Sequence, residues 1–230
     1  MPVRRTKTSR KQPRQARAQT TVHAILEATV QVLERGGPDA ATTTRIAEVA
    51  GVSVGTLYQY FSHRDAVFDA LQEREFERAI ALVANVLSDD NLARTPRETV
   101  MAAIQGLGAL YRQSPGMHRV LAMEGLRATK ADRLVSFDLR VIALVRHFLS
   151  ATNAPVRRKN LEAAAFVAFQ CVRAAMLASL LEKPAGLNDD TLVEELTDLL
   201  LRYLVDDQWL ESQSALTKKS ATKKKAQKKV

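Results

Sequence analysis

Cysteine is almost absent from this sequence, which contains only Cys171. A single cysteine cannot form a disulfide within the chain, so the fold must be held together without one. The N-terminus also lacks the apolar segment of a secretory signal, because it is polar and basic. These two absences predict a cytoplasmic protein.

Glycine and proline are scarce, with 9 and 7 residues among 230, and alternating β-branched runs are missing. Alanine, leucine, glutamate and arginine dominate instead, and these residues favour helices. The sequence therefore predicts an all-α fold with enough residues for one large domain or two modest ones. Its most apolar stretch, residues 163–181, approaches the length of a membrane span but carries Gln170 and Arg173, which favours a buried helix.

Acidic residues are missing from both ends of the chain. Residues 1–18 carry seven basic side chains and residues 218–230 carry seven lysines, whereas the rest has 20 basic and 25 acidic residues. Basic segments suit a polyanion, since each neutralised phosphate releases counterions. Without an apolar period such a segment cannot order itself by burial. We predict disordered basic segments at residues 1–18 and 211–230, and whether the second contacts a polyanion stays open.

Apolar residues recur at helical spacing along most of the chain, and glycine, proline or polar runs separate the periodic segments. Nine helices are predicted, at residues 19–35, 43–50, 54–60, from a capping box at Ser62 and Asp65 to about residue 87, and at 97–112, 115–127, 131–149, 156–182 and 189–205. The polar run at 88–91 predicts a boundary between an N-terminal domain at 19–88 and a C-terminal domain at 89–210.

Residues 42–61 have the features of a helix-turn-helix. Thr42 and Ser53 are good N-caps for the two short helices, and Gly51 can take the left-handed backbone of the turn. Ala47 is small enough for helix contact, and Leu57, ten residues later, can anchor the second helix from beneath. The spacing predicts a unit that places its second helix in the major groove of DNA.

The run IAEVAGVSVGTLYQYFSHRDAVFDAL, residues 46–71, is similar to the DNA-binding module of tetracycline-repressor-like (TetR-family) transcriptional regulators, whose hallmark is GTLY-x-YF after A-G-V-S. The resemblance implies a DNA-binding regulator rather than an enzyme, with no cofactor. It implies that five residues face the bases, namely Thr44, Val54, Gly55, Thr56 and Gln59. It implies that five others hold phosphates, namely Thr43, Ser53, Tyr58, Tyr60 and Arg64. Gln59 is the strongest candidate for base reading, because an amide can bond bidentately to adenine.

The resemblance also implies how the C-terminal domain works. It implies a homodimer formed through helices at about 156–182 and 189–205, which predicts a palindromic operator. It further implies a small-molecule effector and a pocket, whose candidate lining is Met101, Ile104, Leu107, Met123, Phe137, Phe166, Phe169, Gln170 and Arg173. Gln170 and Arg173 need partners in so apolar a helix: an acid group of the ligand, an acidic side chain or solvent. Repression relieved by the effector is predicted, with co-repression or activation left open.

Other functions are weighed against this interpretation. The run GVSVG at residues 51–55 spells the G-x-S-x-G of a hydrolase, but that motif needs a strand before the serine, where a helix is predicted. The four histidines, His23, His63, His118 and His147, have no partner at metal-ligand spacing, so no metal site is predicted. No RNA-recognition module is visible. The main alternative is a ligand-independent, weakly specific nucleoid-type protein that binds DNA through its basic ends.

Overall fold

The computed structural model describes residues 11–88, 94–125, 131–182, 184–210 and 212. In these residues the named elements are all helices, which confirms the all-α prediction. They are α1 (Lys11–Ala40), α2 (Thr43–Ala50), α3 (Val54–Tyr60), α4 (Arg64–Val86), α5 (Pro96–Gln113), α6 (Pro115–Gly125), α7 (Ala131–Ala151), α8 (Leu161–Glu182) and α9 (Asp189–Leu204). A single antiparallel bridge, between Val156 and Val205, is the only β pairing in the described part of the chain.

Helix α1 differs from its prediction at both ends. It begins at Lys11 rather than residue 19, so the prediction of a disordered segment was wrong for residues 11–18. Pro13 does not prevent this start, because a proline in the first turn removes no hydrogen bond that the helix would otherwise make. The main helical run ends at Gly37, whose φ of 68° is left-handed, and a short turn containing Pro38 follows. The rest of the two segments predicted to be disordered, residues 1–10, 211 and 213–230, lies outside the described residues.

Helix α8 begins at Leu161, five residues after its predicted start. Asn160 caps it, with the Oδ1 atom accepting from the backbone N–H of Ala163 at 3.0 Å. The preceding residues pair with the chain after α9 instead of continuing the helix: the N–H of Arg157 donates to the carbonyl of Leu204 at 2.9 Å. The predicted helix was too long at its start, because the spacing of apolar residues carries no information about this backbone pairing.

The contacts divide the chain into two compact units. The first unit comprises Met1–Glu75 and Ser114–Glu124, and the second comprises Phe76–Gln113 and Gly125–Val230. The predicted boundary at residue 88 differs from this division, which falls inside α4. Helix α6 therefore belongs to the same unit as the helix-turn-helix.

The core of the first unit joins α1, α2, α3, the first half of α4 and α6. Its fully buried side chains include Ile25, Leu33, Ile46, Leu57, Phe68, Leu71 and Met117. Two polar contacts fix α6 in this unit. The carboxylate of Glu34 accepts from the N–H of Met117 at 2.6 Å, and the Nε2 atom of His118 lies 3.5 Å from a carboxylate oxygen of Glu75. These contacts attach α6 to α1 and to α4 within the unit.

The core of the second unit joins the rest of α4 with α5, α7, α8 and α9, and its buried residues include Ile104, Ile142, Phe169, Leu196 and Leu200. A capping box starts α5: the N–H of Thr95 donates to the Glu98 carboxylate at 2.8 Å, and the N–H of Glu98 donates to the Thr95 hydroxyl at 3.2 Å. Among the described residues, α8 alone is long and apolar enough to cross a membrane by length and composition. Core helices of soluble proteins pass the same test.

Candidate nucleic-acid interface

Helix α2 is fixed at both ends by local hydrogen bonds. The hydroxyl of Thr42 accepts from the N–H of Arg45 at 3.1 Å, which confirms the predicted N-cap. At the other end Gly51 has a φ of 68°, and its N–H bonds to the carbonyl of Glu48 while that of Val52 bonds to Ala47. This paired closure is the Schellman arrangement, which glycine accommodates without strain.

Helix α3 starts at a second local cap. The Oγ atom of Ser53 accepts from the N–H of Thr56 at 2.9 Å and lies 2.8 Å from the Thr56 hydroxyl. Leu57 is the one buried residue of the helix, as predicted. Because the Ser53 hydroxyl serves the cap, its predicted bond to phosphate would have to be shared with this helical start.

The residues predicted to read bases lie at the surface of α2 and α3. Thr44, Gly55 and Gln59 are exposed, while Val54 and Thr56 are half-buried. Gly55 is not required by packing, since a Cβ built there would come no closer than 3.7 Å to the Ser53 hydroxyl. A glycine that the fold does not need leaves room for an approaching surface such as the edges of base pairs.

The residues predicted to hold phosphates surround this surface. The hydroxyls of Thr43 and Tyr58 are 3.3 Å apart and link α2 to α3. Tyr58 is 51% exposed and Tyr60 38% exposed, so both side chains are accessible to a partner. The guanidinium of Arg64 lies 5.0 Å from the centre of the Phe68 ring, and its Nε atom is 3.6 Å from the carboxylate of Asp65. A cation stacked in this way is held in place near the start of α4.

One residue of this region has a role that the sequence did not reveal. The Nδ1 atom of His63 accepts from the N–H of Ala66 at 3.1 Å and so caps α4. This contact replaces the predicted capping box of Ser62 and Asp65. Histidine is not among the favoured N-cap residues, so its residue type did not indicate the role. The only signal was its position, because an N-cap accepts from the N–H three residues later, which here is Ala66.

The second unit contains eight of the nine predicted pocket residues. Met123 is the exception, since it lies on α6 in the first unit and is exposed. Phe166 is also exposed, whereas the ring of Phe137 stacks on Phe76 at 4.3 Å and meets the edge of Phe169 at 6.1 Å. An aromatic cluster therefore lies in the second unit, where α4, α7 and α8 contribute one ring each.

A polar network adjoins this aromatic cluster. The Oε1 atom of Gln170 accepts from Nε and Nη2 of Arg173 at 3.0 and 2.6 Å. The Nε2 atom of Gln170 donates to Oδ2 of Asp138 at 3.3 Å, and Nη1 of Arg173 is 3.6 Å from the same oxygen. Of the three partners left open by the sequence, the structure contains the acidic side chain. Asp138 was missed because it precedes Gln170 by 32 residues and is polar in an amphipathic helix.

Two titratable groups of this region are shifted by burial. Burial raises the pKa of Asp138 above its ordinary value, against the opposing effects of Arg173 and of the hydrogen bond from Gln170. Burial also raises the pKa of Tyr111, with the charge of Arg173 opposing. The carboxylate and the phenol are thus both in an environment that disfavours their charged forms.

Known proteins resemble this chain over both units. Residues 25–71 match the model of the bacterial regulatory proteins of the tetR family, and residues 95–204 match the model of the tetracyclin repressor-like C-terminal domain. The chain is 31% identical over 103 residues to the nucleoid occlusion factor SlmA of Actinobacillus pleuropneumoniae serotype 5b, covering 44% of this chain and 50% of SlmA. The chain therefore spans about half the length of this curated relative.

Two further similarities cover different shares of the chain. The HTH-type transcriptional repressor KstR of Mycolicibacterium smegmatis is 43% identical over 54 residues, which are 24% of this chain and 26% of KstR. The crystal structure of a TetR-like transcriptional regulator from Rhodococcus sp. RHA1 is 21% identical, with a TM-score of 0.59, covering 79% of this chain and 94% of that one. This last likeness concerns the fold alone. Since the two family models cover the helix-turn-helix and most of the helices after α4, the chain belongs to the TetR family of bacterial regulatory proteins.

Proposed function

We propose that this protein is a sequence-specific transcriptional regulator that binds a palindromic operator as a homodimer. The observation that carries the proposal is the construction of α3. Its caps and a single buried leucine hold the helix in place, and its other side chains remain accessible. A short helix anchored from beneath can enter the major groove without disturbing the core of its unit.

Base reading and phosphate binding are assigned to different residues. Thr44, Val54, Gly55, Thr56 and Gln59 contact base edges, with the amide of Gln59 as the main determinant of sequence. Thr43, Ser53, Tyr58, Tyr60 and Arg64 contact phosphates, which position the helix without specifying sequence. Selectivity and salt dependence therefore depend on separate sets of side chains, and they can be measured separately.

Dimer formation is proposed through α8 and α9. Phe166 and Val167 on α8 and Leu199 on α9 are exposed apolar residues, and a second copy would remove them from water. Ala164 and Ala168 on the same helix are buried within their own chain. The proposed interface therefore depends on the larger exposed side chains.

Control by a small molecule completes the proposal. The effector binds in the second unit, around the aromatic cluster and the Gln170–Arg173 pair, and release of DNA follows because the effector prefers the arrangement with lower DNA affinity. Repression relieved by the effector is consistent with the similarity to KstR, which is a repressor by name. A regulator of this kind acts where the chromosome is, so we infer a cytoplasmic location.

Selection of bound duplexes from a random pool tests the proposal. A palindrome with half-sites about one helical turn or a multiple of it apart is expected. The paired substitution Gln59→Ala and Thr56→Ala should abolish the selected preference while retaining binding at low salt. A matched control is Gln105→Ala, which changes an exposed glutamine on α5. If the wild-type protein enriches no sequence from the pool, that result would contradict a sequence-specific function.

A second candidate function is favoured by the similarity to SlmA, a nucleoid occlusion factor by name. In that case the protein would bind DNA at many places along the chromosome, with no effector. The distribution of bound sites on genomic DNA distinguishes the two functions. A few strong sites support the regulator, whereas broad occupancy that is insensitive to substitution of Gln59 supports the nucleoid-type protein.

A further inference from the structure

The carboxylate of Asp138 has one oxygen that its own unit leaves unsatisfied. The Oδ2 atom receives Gln170 and faces Arg173, but the Oδ1 atom is buried and accepts no hydrogen bond from the described residues. The side chain as a whole is only 16% exposed. A buried acceptor without a donor is costly, so this oxygen is suited to a donor that arrives from outside the chain.

The neighbouring cation is not available in the same way. Arg173 directs two nitrogens to the Gln170 carbonyl oxygen and a third towards Asp138, and its guanidinium lies 5.8 Å from the centre of the Phe169 ring. An acidic ligand at this guanidinium would also meet the carboxylate of Asp138, whose Oδ2 atom lies 3.6 Å from Nη1, and two like charges repel each other. The network therefore disfavours an acid and favours a hydrogen-bond donor.

Apolar side chains lie next to Asp138 in sequence and beside its polar partners. Phe137, the residue before Asp138, belongs to the aromatic cluster with Phe76 and Phe169. On the same helix Val135 and Leu139 are 53% and 61% exposed. Apolar residues thus flank Asp138 along α7, and Phe169 lies beside the guanidinium of Arg173 on α8, so the seam between α7 and α8 is partly apolar. Such a surface suits the apolar body of a ligand whose polar end reaches Asp138.

We propose that the α7–α8 seam binds a small molecule that presents an N–H or O–H donor on an apolar body, with the donor bonded to Oδ1 of Asp138. The inference rests on the proposed effector control and names the chemical class of the effector. Asp138 determines specificity in this scheme. It selects amines and alcohols directly, and it rejects acids by holding Arg173.

Three probes with the same apolar body test the preference: decylamine, decanol and decanoate. Each is titrated calorimetrically into the full-length protein near neutral pH and below its micelle-forming concentration. The amine and the alcohol are expected to bind, and decanoate to bind at least tenfold more weakly, which corresponds to about 1.4 kcal/mol. Equal or tighter binding of decanoate, or no binding of any probe below about 1 mM, would overturn the proposal.

Substitution of the carboxylate provides a sharper test. Asp138→Ala removes the acceptor and frees Arg173, so the preference should invert and decanoate should become the tightest of the three. Asp138→Asn keeps the size and a neutral acceptor, so it should weaken decylamine more than decanol. Asp132→Ala, an exposed carboxylate on the same helix, should preserve the wild-type order. Circular dichroism verifies that each variant is folded.

The outcomes separate this inference from the proposed regulator. An unchanged probe order in both Asp138 variants would overturn the assignment of Asp138, even where the protein still selects a palindrome. Failure to select any DNA sequence would overturn the regulator, even where the probe order is as expected. Each result therefore refers to one proposal only.

Discussion

The carboxylate of Glu34 in α1 accepts a hydrogen bond from the backbone N–H of Met117 in α6, with N and O 2.6 Å apart. The two residues are 83 positions apart in sequence. The neighbouring Gly116 has no side chain, and a Cβ there would lie 3.1 Å from the same carboxylate. The start of α6 is thus fitted closely to α1 within the first unit.

Glu34→Ala should lower the free energy of unfolding by about 1–3 kcal/mol, because the N–H of Met117 loses its acceptor in a partly buried position. Glu34→Gln keeps a carbonyl oxygen in place and should cost less. Denaturant titrations of the two variants measure the difference. Equal stability of Glu34→Ala and wild type would show that the contact contributes nothing.

The cap of α4 predicts different effects for two adjacent residues. His63→Ala should destabilise the protein by about 0.5–2 kcal/mol, the usual range for loss of an N-cap, because the N–H of Ala66 loses its side-chain acceptor. Ser62→Ala should change stability little. Thermal unfolding compares the two variants, and a larger loss for Ser62→Ala would restore the capping box expected from the sequence.

Arg64 should act on the salt dependence of DNA binding rather than on sequence preference. Arg64→Ala is expected to weaken all duplexes similarly and to reduce the slope of log affinity against log salt by about 1. Arg146→Ala, at an exposed arginine of α7, is the matched control and should leave the slope unchanged. A loss confined to one sequence would mean that Arg64 reads a base instead.

The exposed leucine of α9 should stabilise the dimer. Leu199→Glu introduces a charge at a position that is exposed in one chain, so folding tolerates it while association with a second copy weakens at least tenfold, or about 1.4 kcal/mol. Met123→Glu is the control, since Met123 is exposed on α6. Sedimentation equilibrium measures both, and a Leu199→Glu variant that dimerises like wild type would exclude Leu199 from the interface.

Asp138 and Glu77 should change stability in opposite directions with pH. Burial raises the pKa of Asp138. The contribution of this group to the free energy of unfolding is therefore fully present below its ordinary pKa and is lost as pH rises through its pKa in the folded protein. The hydrogen bond from Arg140 lowers the pKa of Glu77, so its contribution is present above the ordinary pKa and is lost as pH falls.

The difference in unfolding free energy between wild type and variant tests these signs from about pH 3.5 to about pH 7. For Asp138→Asn, the unfolding free energy of the wild type minus that of the variant should fall as pH rises. For Glu77→Gln the same difference should rise. The same trend in both variants would contradict one of the two shifts.

The sequence predicted the parts of the interface that depend on local chemistry. Thr42, Gly51 and Ser53 each act within four residues of their own position, and the structure confirms all three. The buried positions of Ala47 and Leu57 were also predictable, since helical spacing determines which side faces inward.

Contacts between distant residues were beyond the same reasoning. The bond from Glu34 to α6 and the link from Asp138 to Gln170 depend on how helices pack, and spacing along the chain carries no signal for either. The early start of α1 was missed for another reason. Its first residues are basic and lack an apolar stripe, although nothing in them prevents a helix.

The single buried leucine of α3 has a consequence for how this protein can evolve. Leu57 and the two ends of the helix hold it in place, so substitutions at the exposed Gln59 or Tyr60 leave its anchoring intact. Successive mutations can therefore change the DNA sequence that is recognised while every intermediate variant stays folded. Duplicated copies of such a gene can acquire new target sites while they keep the same scaffold.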